Sequence, residues 1–172
     1  VPEEGQNIES LEIIAPTQKH FIELCGSKEN KVTGFRFRNL DFVATKGDYA
    51  SRSNYATKSA EETLYASDIQ SCFAAHGAIR FENAEDCSVE NCRILCAGVH
   101  AIEINKGCEH ILTQNCHIEN AGAGGIKIWG TPAEGDEDIR PTGNCRISGN
   151  TITNCGKRYA AGCGGKPLRA GE

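Results

Sequence analysis

The sequence has no methionine and only one tryptophan among its 172 residues. Without methionine, residue 1 is not an initiator. The chain reads as a processed product or a piece of something longer, so the want of a leader says nothing about export. No apolar run reaches the ~18 residues of a membrane helix. An excess of positive charge is missing too: 18 Lys and Arg stand against 23 Asp and Glu, for a net charge of −5, which argues against a nucleic-acid partner. None of the ten cysteines forms a C-x-x-C pair, so zinc-ribbon and thioredoxin readings are weak. Cys108-Glu109-His110 and Cys116-His117 have the residue types of metal ligands, but cysteine more often serves as a small core hydrophobe. Leucine is scarce, and no ten-residue stretch carries a helical stripe.

What the chain does have is a repeat. Aligning Gly98, Gly122 and Gly156 brings Val89, Thr113 and Ile147 into one column. Cys87, Ile111 and Cys145 fall into another, Ile94, Ile118 and Ile152 into a third, and Cys92 meets Cys116. With a one-residue slip, Ile79/Phe81, Ile102/Ile104 and Ile126/Ile128 also align, and a weaker first unit holds Ile22, Leu24, Phe35, Phe37 and Phe42. A unit of 24 residues, read from Gly98 to Gly122, with three short alternating apolar pieces is one coil of a parallel β-helix. A leucine-rich repeat of similar period would need more leucine. Asn39, Asn91 and Asn115 share a column between the second and third strands, with Gly149 in the next coil. Both residue types tolerate a left-handed bend, and stacked asparagines predict an amide ladder. The expectation is one all-β domain over residues 1–172, a right-handed parallel β-helix of about four or five coils that is a piece of a longer helix, with an irregular tail at 157–172.

Two insertions interrupt the period, at 43–76 and 129–143. Both flank the sheet expected from residues 78–81, 101–104 and 125–128. Insertions on one face of a solenoid commonly carry function. The loops bring Tyr49, Tyr55, Tyr65 and Trp129, which suit stacking on sugar rings. The outward row of the sheet reads Glu23, Arg80, Glu103, Lys127, alternating in sign. Such a row is either a salt-bridge ladder or the polar floor of a groove for a polyhydroxylated ligand. The run 135–138 (GDED) offers oxygen ligands for calcium, though acidic runs are more often solvated loop. The segment AGAGG at 121–125 is a tight bend, since no helix follows it.

The stretches GAIRFENAEDCSVENCRI, INKGCEHILTQNCHIENAGAGGIKI and GNCRISGNTITNCG resemble right-handed parallel β-helix proteins of bacterial polysaccharide degraders. The likeness is strongest to the family-141 glycoside hydrolases and covers roughly residues 8–160. It implies a secreted or periplasmic bacterial protein that hydrolyses glycosidic bonds with two carboxylates, fucosidase and xylanase activities being known in that family. The candidate acids are Glu103 with Asp136 or Asp138, and Glu119. Arg80, His100, Lys127 and Trp129 are the candidate substrate contacts. No cofactor is expected, with calcium as the one possible addition. The expected partner is a polysaccharide or oligosaccharide, not a nucleic acid or a membrane, alongside further coils or domains of a longer chain. Two alternatives stay open: a calcium-dependent polysaccharide lyase with Arg80 or Lys127 as base, and a non-catalytic glycan-binding or adhesion module.

Overall fold

The computed structural model describes residues 13–47, 72, 75–128, 142–156 and 158–159. Among them there is no α-helix, and every strand pairing is parallel. β1 (Ile22–Cys25), β5 (Gly77–Glu82), β9 (His100–Ile104) and β12 (Ile126–Ile128) stack into an opening sheet. β3 (Arg36–Arg38), β7 (Ser88–Glu90), β10 (Leu112–Gln114) and β13 (Arg146–Ser148) form a second sheet. β4 (Asp41–Val43), β8 (Arg93–Leu95), β11 (His117–Glu119) and β14 (Thr151–Thr153) form a third. A narrow strip, β2 (Val32–Thr33) beside β6 (Ala84–Glu85), is prolonged by bridges from Glu85 to Glu109 and on to Gly143. The described chain is therefore a parallel β-helix of four coils.

The register follows the apolar columns. Thr113 pairs with Val89 and Ile147, Ile118 with Ile94 and Ile152, and Ile102 with Ile79 and Ile126. A slip of one residue would turn every side chain of a strand to the other face, so the buried row fixes the pairing. Ile79, Phe81, Val89, Ile94, Ile102, Ile104, Ile111 and Ile118 are wholly buried and form the core of the middle coils. Toward the ends the same columns open: Phe35 is 48% exposed in the first coil, and Ile128 is 52% exposed in the fourth.

Three of the connections in each coil turn on one residue with left-handed backbone. Gly34, Asp86, His110 and Asn144 stand between strip and second sheet, with φ of 79°, 53°, 53° and 53°. Asn39, Asn91, Asn115 and Gly149 stand between second and third sheets, at 56°, 52°, 53° and 66°. Ala44, Cys96, Asn120 and Asn154 close the third sheet, at 61°, 55°, 59° and 56°. This conformation swings the chain while its N–H stays in the ladder: Asn91 N–H donates to Gln114 O at 2.9 Å and Cys96 N–H to Glu119 O at 2.9 Å.

The asparagine ladder expected at Asn39, Asn91 and Asn115 is not formed. All three are exposed, and among the described residues no hydrogen bond links one amide to the next. The corner points these side chains into water, and the stacked backbones hold the column without them. An amide pair does occur one corner later, where Asn154 Nδ2 donates to Asn120 Oδ1 at 2.5 Å. The amide that braces the coil interior is Asn150, in line with Cys116: its Oδ1 accepts from Cys116 N–H at 2.8 Å and its Nδ2 donates to Thr113 O at 2.9 Å.

The corners also account for five cysteines. Cys87, Cys92, Cys116, Cys145 and Cys155 each follow a corner residue directly, and each thiol donates to the carbonyl two residues before it. Those distances run from 3.2 Å for Cys92 to 3.4 Å for Cys155. Cys92 and Cys116 also reach the coil before, at Phe37 O and Val89 O, 3.6 and 3.5 Å away. The thiol is small and apolar enough for the interior, yet it offers a weak donor to a carbonyl that the bend turns inward. The metal-ligand reading fails on orientation: Cys108 and Cys116 are inside the coil, whereas His110 is a corner residue with half its side chain in water and His117 lies on the outer face. Gly98 and Gly122 need their missing Cβ for a different reason. A Cβ on Gly98 would collide with the Gly47 backbone, and one on Gly122 with the Gly98 carbonyl.

Candidate functional site

The opening sheet's outward row is in the expected register: Glu23 beside Arg80, Arg80 beside Glu103, Glu103 beside Lys127. Alternating charge makes it a continuous chain of ion pairs. Arg80 Nη1 lies 3.5 Å from Glu23 Oε1, Arg80 Nε 3.5 Å from Glu103 Oε2, and Lys127 Nζ 2.8 Å from Glu103 Oε1. Arg80 also pairs closely with Glu82, which in turn meets Lys106 at 3.5 Å.

The row is not the open floor that its alternation suggests. Glu103 is only 1% exposed. The cover is the returning end of the first insertion. Gly77 N–H donates to Glu103 Oε2 at 2.9 Å, and a Cβ on Gly77 would strike the Glu103 side chain. His76 Nδ1 lies 3.5 Å from the same carboxylate oxygen. Lys127 Nζ donates to Ala75 O at 2.7 Å while pairing with Glu103. Burial pushes the Glu103 carboxyl up, but its bonds to His76, the Lys127 ammonium and the Gly77 N–H outweigh that and bring it down to about 2. An acid held this low is ionised throughout the physiological range and is a poor proton donor.

His100, a candidate substrate contact, is 3% exposed and fully engaged. Gly124 N–H donates to its Nδ1 at 3.1 Å, so Nε2 carries the proton and faces Cys72 O at 3.0 Å. Together His100, Glu103 and Lys127 clasp Cys72 and residues 75–77 onto the sheet. Cys72 and Ala75 then join Val99, Ala123 and Tyr159 in a small second core.

A family model described as a right-handed β-helix region matches residues 6–137, more than half of the chain. The chain belongs to the right-handed β-helix family. Its hand is the one that parallel crossovers prefer. No curated protein and no solved structure matches it.

The remaining sequence candidates distribute unevenly over the β-helix. Glu119 lies on the third sheet, 3.1 Å from His117, and so on another side of the coil from Glu103; the fold does not bring the two together. Asp136, Asp138 and Trp129 lie outside the described residues, as do Tyr49, Tyr55, Tyr65 and the calcium candidate at 135–138. Among the described residues no group of three or more His, Cys, Asp or Glu is placed to hold a metal ion.

Two residues that the repeat did not single out stand at the open mouth of the row. His76 is 56% exposed above Glu103, and its ring lies 6.3 Å from that of His20. His20 Nδ1 meets Gly77 O at 2.8 Å, and its Nε2 lies 3.7 Å from Glu23. The signal for them was positional: His20 precedes β1 by two residues and His76 immediately precedes β5, so in-register pairing of the two strands brings them close.

Proposed function

We propose that this right-handed β-helix engages a polysaccharide or oligosaccharide at the mouth of the charged row, over the opening sheet. The carrying observation is the set of polar side chains left accessible there: His20, Glu23, His76, Arg80 and Glu82, all held by a rigid sheet and the clasped root of an insertion. Rigid, prepositioned donors and acceptors suit a hydroxyl-rich ligand, because little entropy is lost in ordering them. A polysaccharide partner implies work outside the cytoplasm, in line with the likeness to bacterial polysaccharide degraders.

The resemblance to family-141 glycoside hydrolases extends this reading to cleavage of a glycosidic bond. That chemistry needs two carboxyl groups roughly 5–5.5 Å apart for retention or about 6.5–9.5 Å for inversion. In this reading Glu103 is an anchor, since its oxygens are engaged and it is out of reach of a substrate. Any catalytic pair would draw on the acids at Asp136 and Asp138. The lyase alternative has less support: Lys127 is committed to Glu103 and Ala75, and Arg80 to three carboxylates, so neither is a free base.

The test is a glycan panel assayed for binding and for release of reducing sugar, with His20→Ala/His76→Ala beside the unaltered chain. Loss of binding in the double variant, at an unchanged melting temperature, supports the mouth as the site. Unchanged binding in that variant, or no binding to any glycan by the unaltered chain, removes the proposal.

A further inference from the structure

A groove of ≈ 670 Å³ runs along the outer face of the second sheet, beside its corner with the strip. Arg36, Arg38, Asp86, Ser88, His110 and Leu112 are among its lining residues. It shares no residue with the mouth over the opening sheet. Its charges are not simply paired off. Arg38 Nε and Nη2 both meet Glu90 Oε1, at 3.1 and 3.0 Å, and Ser88 Oγ donates to the same oxygen at 2.7 Å. Three donors thus crowd one carboxylate oxygen, and they hold the Glu90 carboxyl below its usual range, Ser88 first and Arg38 next. The second oxygen is left open as an acceptor. Asp86 lies 3.6 Å from His110 Nδ1 with two-thirds of its side chain in water. Arg36 has neither an ion pair nor a hydrogen bond among the described residues, and it lies on the same face of β3 as Arg38. Leu112 adds an apolar surface in an outward row that otherwise reads Arg36, Ser88 and Arg146.

The groove therefore offers one guanidinium whose hydrogen-bonding fork is open although its charge acts on Glu90, two carboxylates able to accept from hydroxyls, and a single apolar platform. A guanidinium fork matches a carboxylate by two parallel hydrogen bonds. Carboxylate acceptors match sugar hydroxyls, and a leucine matches the C–H face of a pyranose ring. The scarcity of apolar lining disfavours a peptide side chain or a lipid. We propose that this groove is a second binding site, for a saccharide that bears a carboxylate, a uronic-acid unit, with Arg36 holding the carboxylate and Glu90 and Asp86 accepting from its hydroxyls.

The test is calorimetric titration of the whole chain with an oligomer of a uronic acid, a neutral oligosaccharide of the same length, and inorganic sulfate, at low and at high salt. The uronide is expected to bind, more weakly as salt rises. Arg36→Gln should weaken it about tenfold or more, the loss expected for a charge-assisted hydrogen bond. Arg36→Lys should fall between, because it keeps the charge and loses the fork. Arg36 is exposed, so both variants should melt as the unaltered chain does. His76→Ala should leave uronide binding unchanged, which separates this site from the mouth. Equal affinity for uronide and neutral sugar, equal affinity for sulfate, or unchanged binding in Arg36→Gln would each overturn the assignment.

Discussion

Taking a carboxylate out of water costs several kcal/mol, and only close, well-aimed partners offset that. Glu103 has them in the Lys127 ammonium at 2.8 Å and the Gly77 N–H at 2.9 Å. Its role at the residue scale is to hold the returning insertion against the sheet, and removing its charge should show this in stability before it shows in function. Glu103→Gln keeps an acceptor for Gly77 but removes the carboxylate that pairs with the largely buried Lys127 ammonium at 2.8 Å, at an expected loss of about 3 kcal/mol or more. The pH dependence has a definite sign. The folded carboxyl titrates at about 2 against an ordinary 4.5, so its contribution is complete above pH 4.5 and is lost as pH falls toward 2. Denaturant titrations across that window should give a steep acid limb for the unaltered chain and a shallower one for Glu103→Gln. Equal slopes would mean that the carboxylate is not linked to folding. His100 makes a matching case: replacing it with Phe strands the Gly124 N–H and takes one of two donors from the Cys72 carbonyl, which keeps the Ala75 N–H at 3.1 Å, at about 1–3 kcal/mol.

At the scale of the element, the corner governs the chain. A left-handed residue with a Cβ costs roughly 1–2 kcal/mol, least for Asn and Asp, and nothing for Gly. Asn91 sits at φ 52° with its amide in water, so Asn91→Gly should be close to neutral and Asn91→Ala should lose about 1 kcal/mol. A buried amide ladder would make both costly, and thermal melts of the pair decide between the two. Only one of these three corner columns was legible in the sequence, because only there do asparagines and a glycine fill the whole column. The other two mix Gly, Asp, His and Asn, or Ala, Cys and Asn, and no residue type marks them. Cysteine was legible as core but not as the residue after a bend. Burial raises the thiols of Cys87, Cys116, Cys145 and Cys155, and Cys108 is pushed up to about 11. Raised pKa and burial together slow the thiolate chemistry on which alkylation depends. Brief treatment of the native chain with iodoacetamide should therefore mark Cys25 and Cys96, the two exposed thiols among the described cysteines, before the more buried corner set, with Cys25 slowed in part because burial raises its thiol as well. Rapid labelling of Cys116 would mean that the coils open far more readily than their packing implies.

At the scale of the whole molecule, a solenoid is nearly one-dimensional: each coil touches only the coils before and after it. This is why so much of the fold was legible. A row of Ile94, Ile118 and Ile152 at one place in each unit leaves the strands few other registers, since a slip of one would expose the whole row. The site was less legible for the complementary reason. The order Glu23, Arg80, Glu103, Lys127 follows from the period, but the burial of Glu103 depends on where residues 75–77 return, and an insertion has no period to read. The same one-dimensionality predicts how stability is shared. The second and third coils have neighbours on both sides among the described residues, and Ile79, Ile94, Ile102 and Ile118 are wholly buried. Phe42 and Ile152, their counterparts in the first and fourth coils, are only partly buried, and Ile147 is 40% exposed. Local opening needs less free energy where less apolar surface must be uncovered. Amides of β8 and β11 should accordingly exchange slowest in native-state hydrogen exchange, and those of β14, at the far end of the same sheet, should exchange faster. The comparison is internal to one sheet, so strand length and sequence context are nearly matched. Uniform protection across β8, β11 and β14 would mean that the fourth coil is as well covered as the middle two and that the described stack unfolds as one unit.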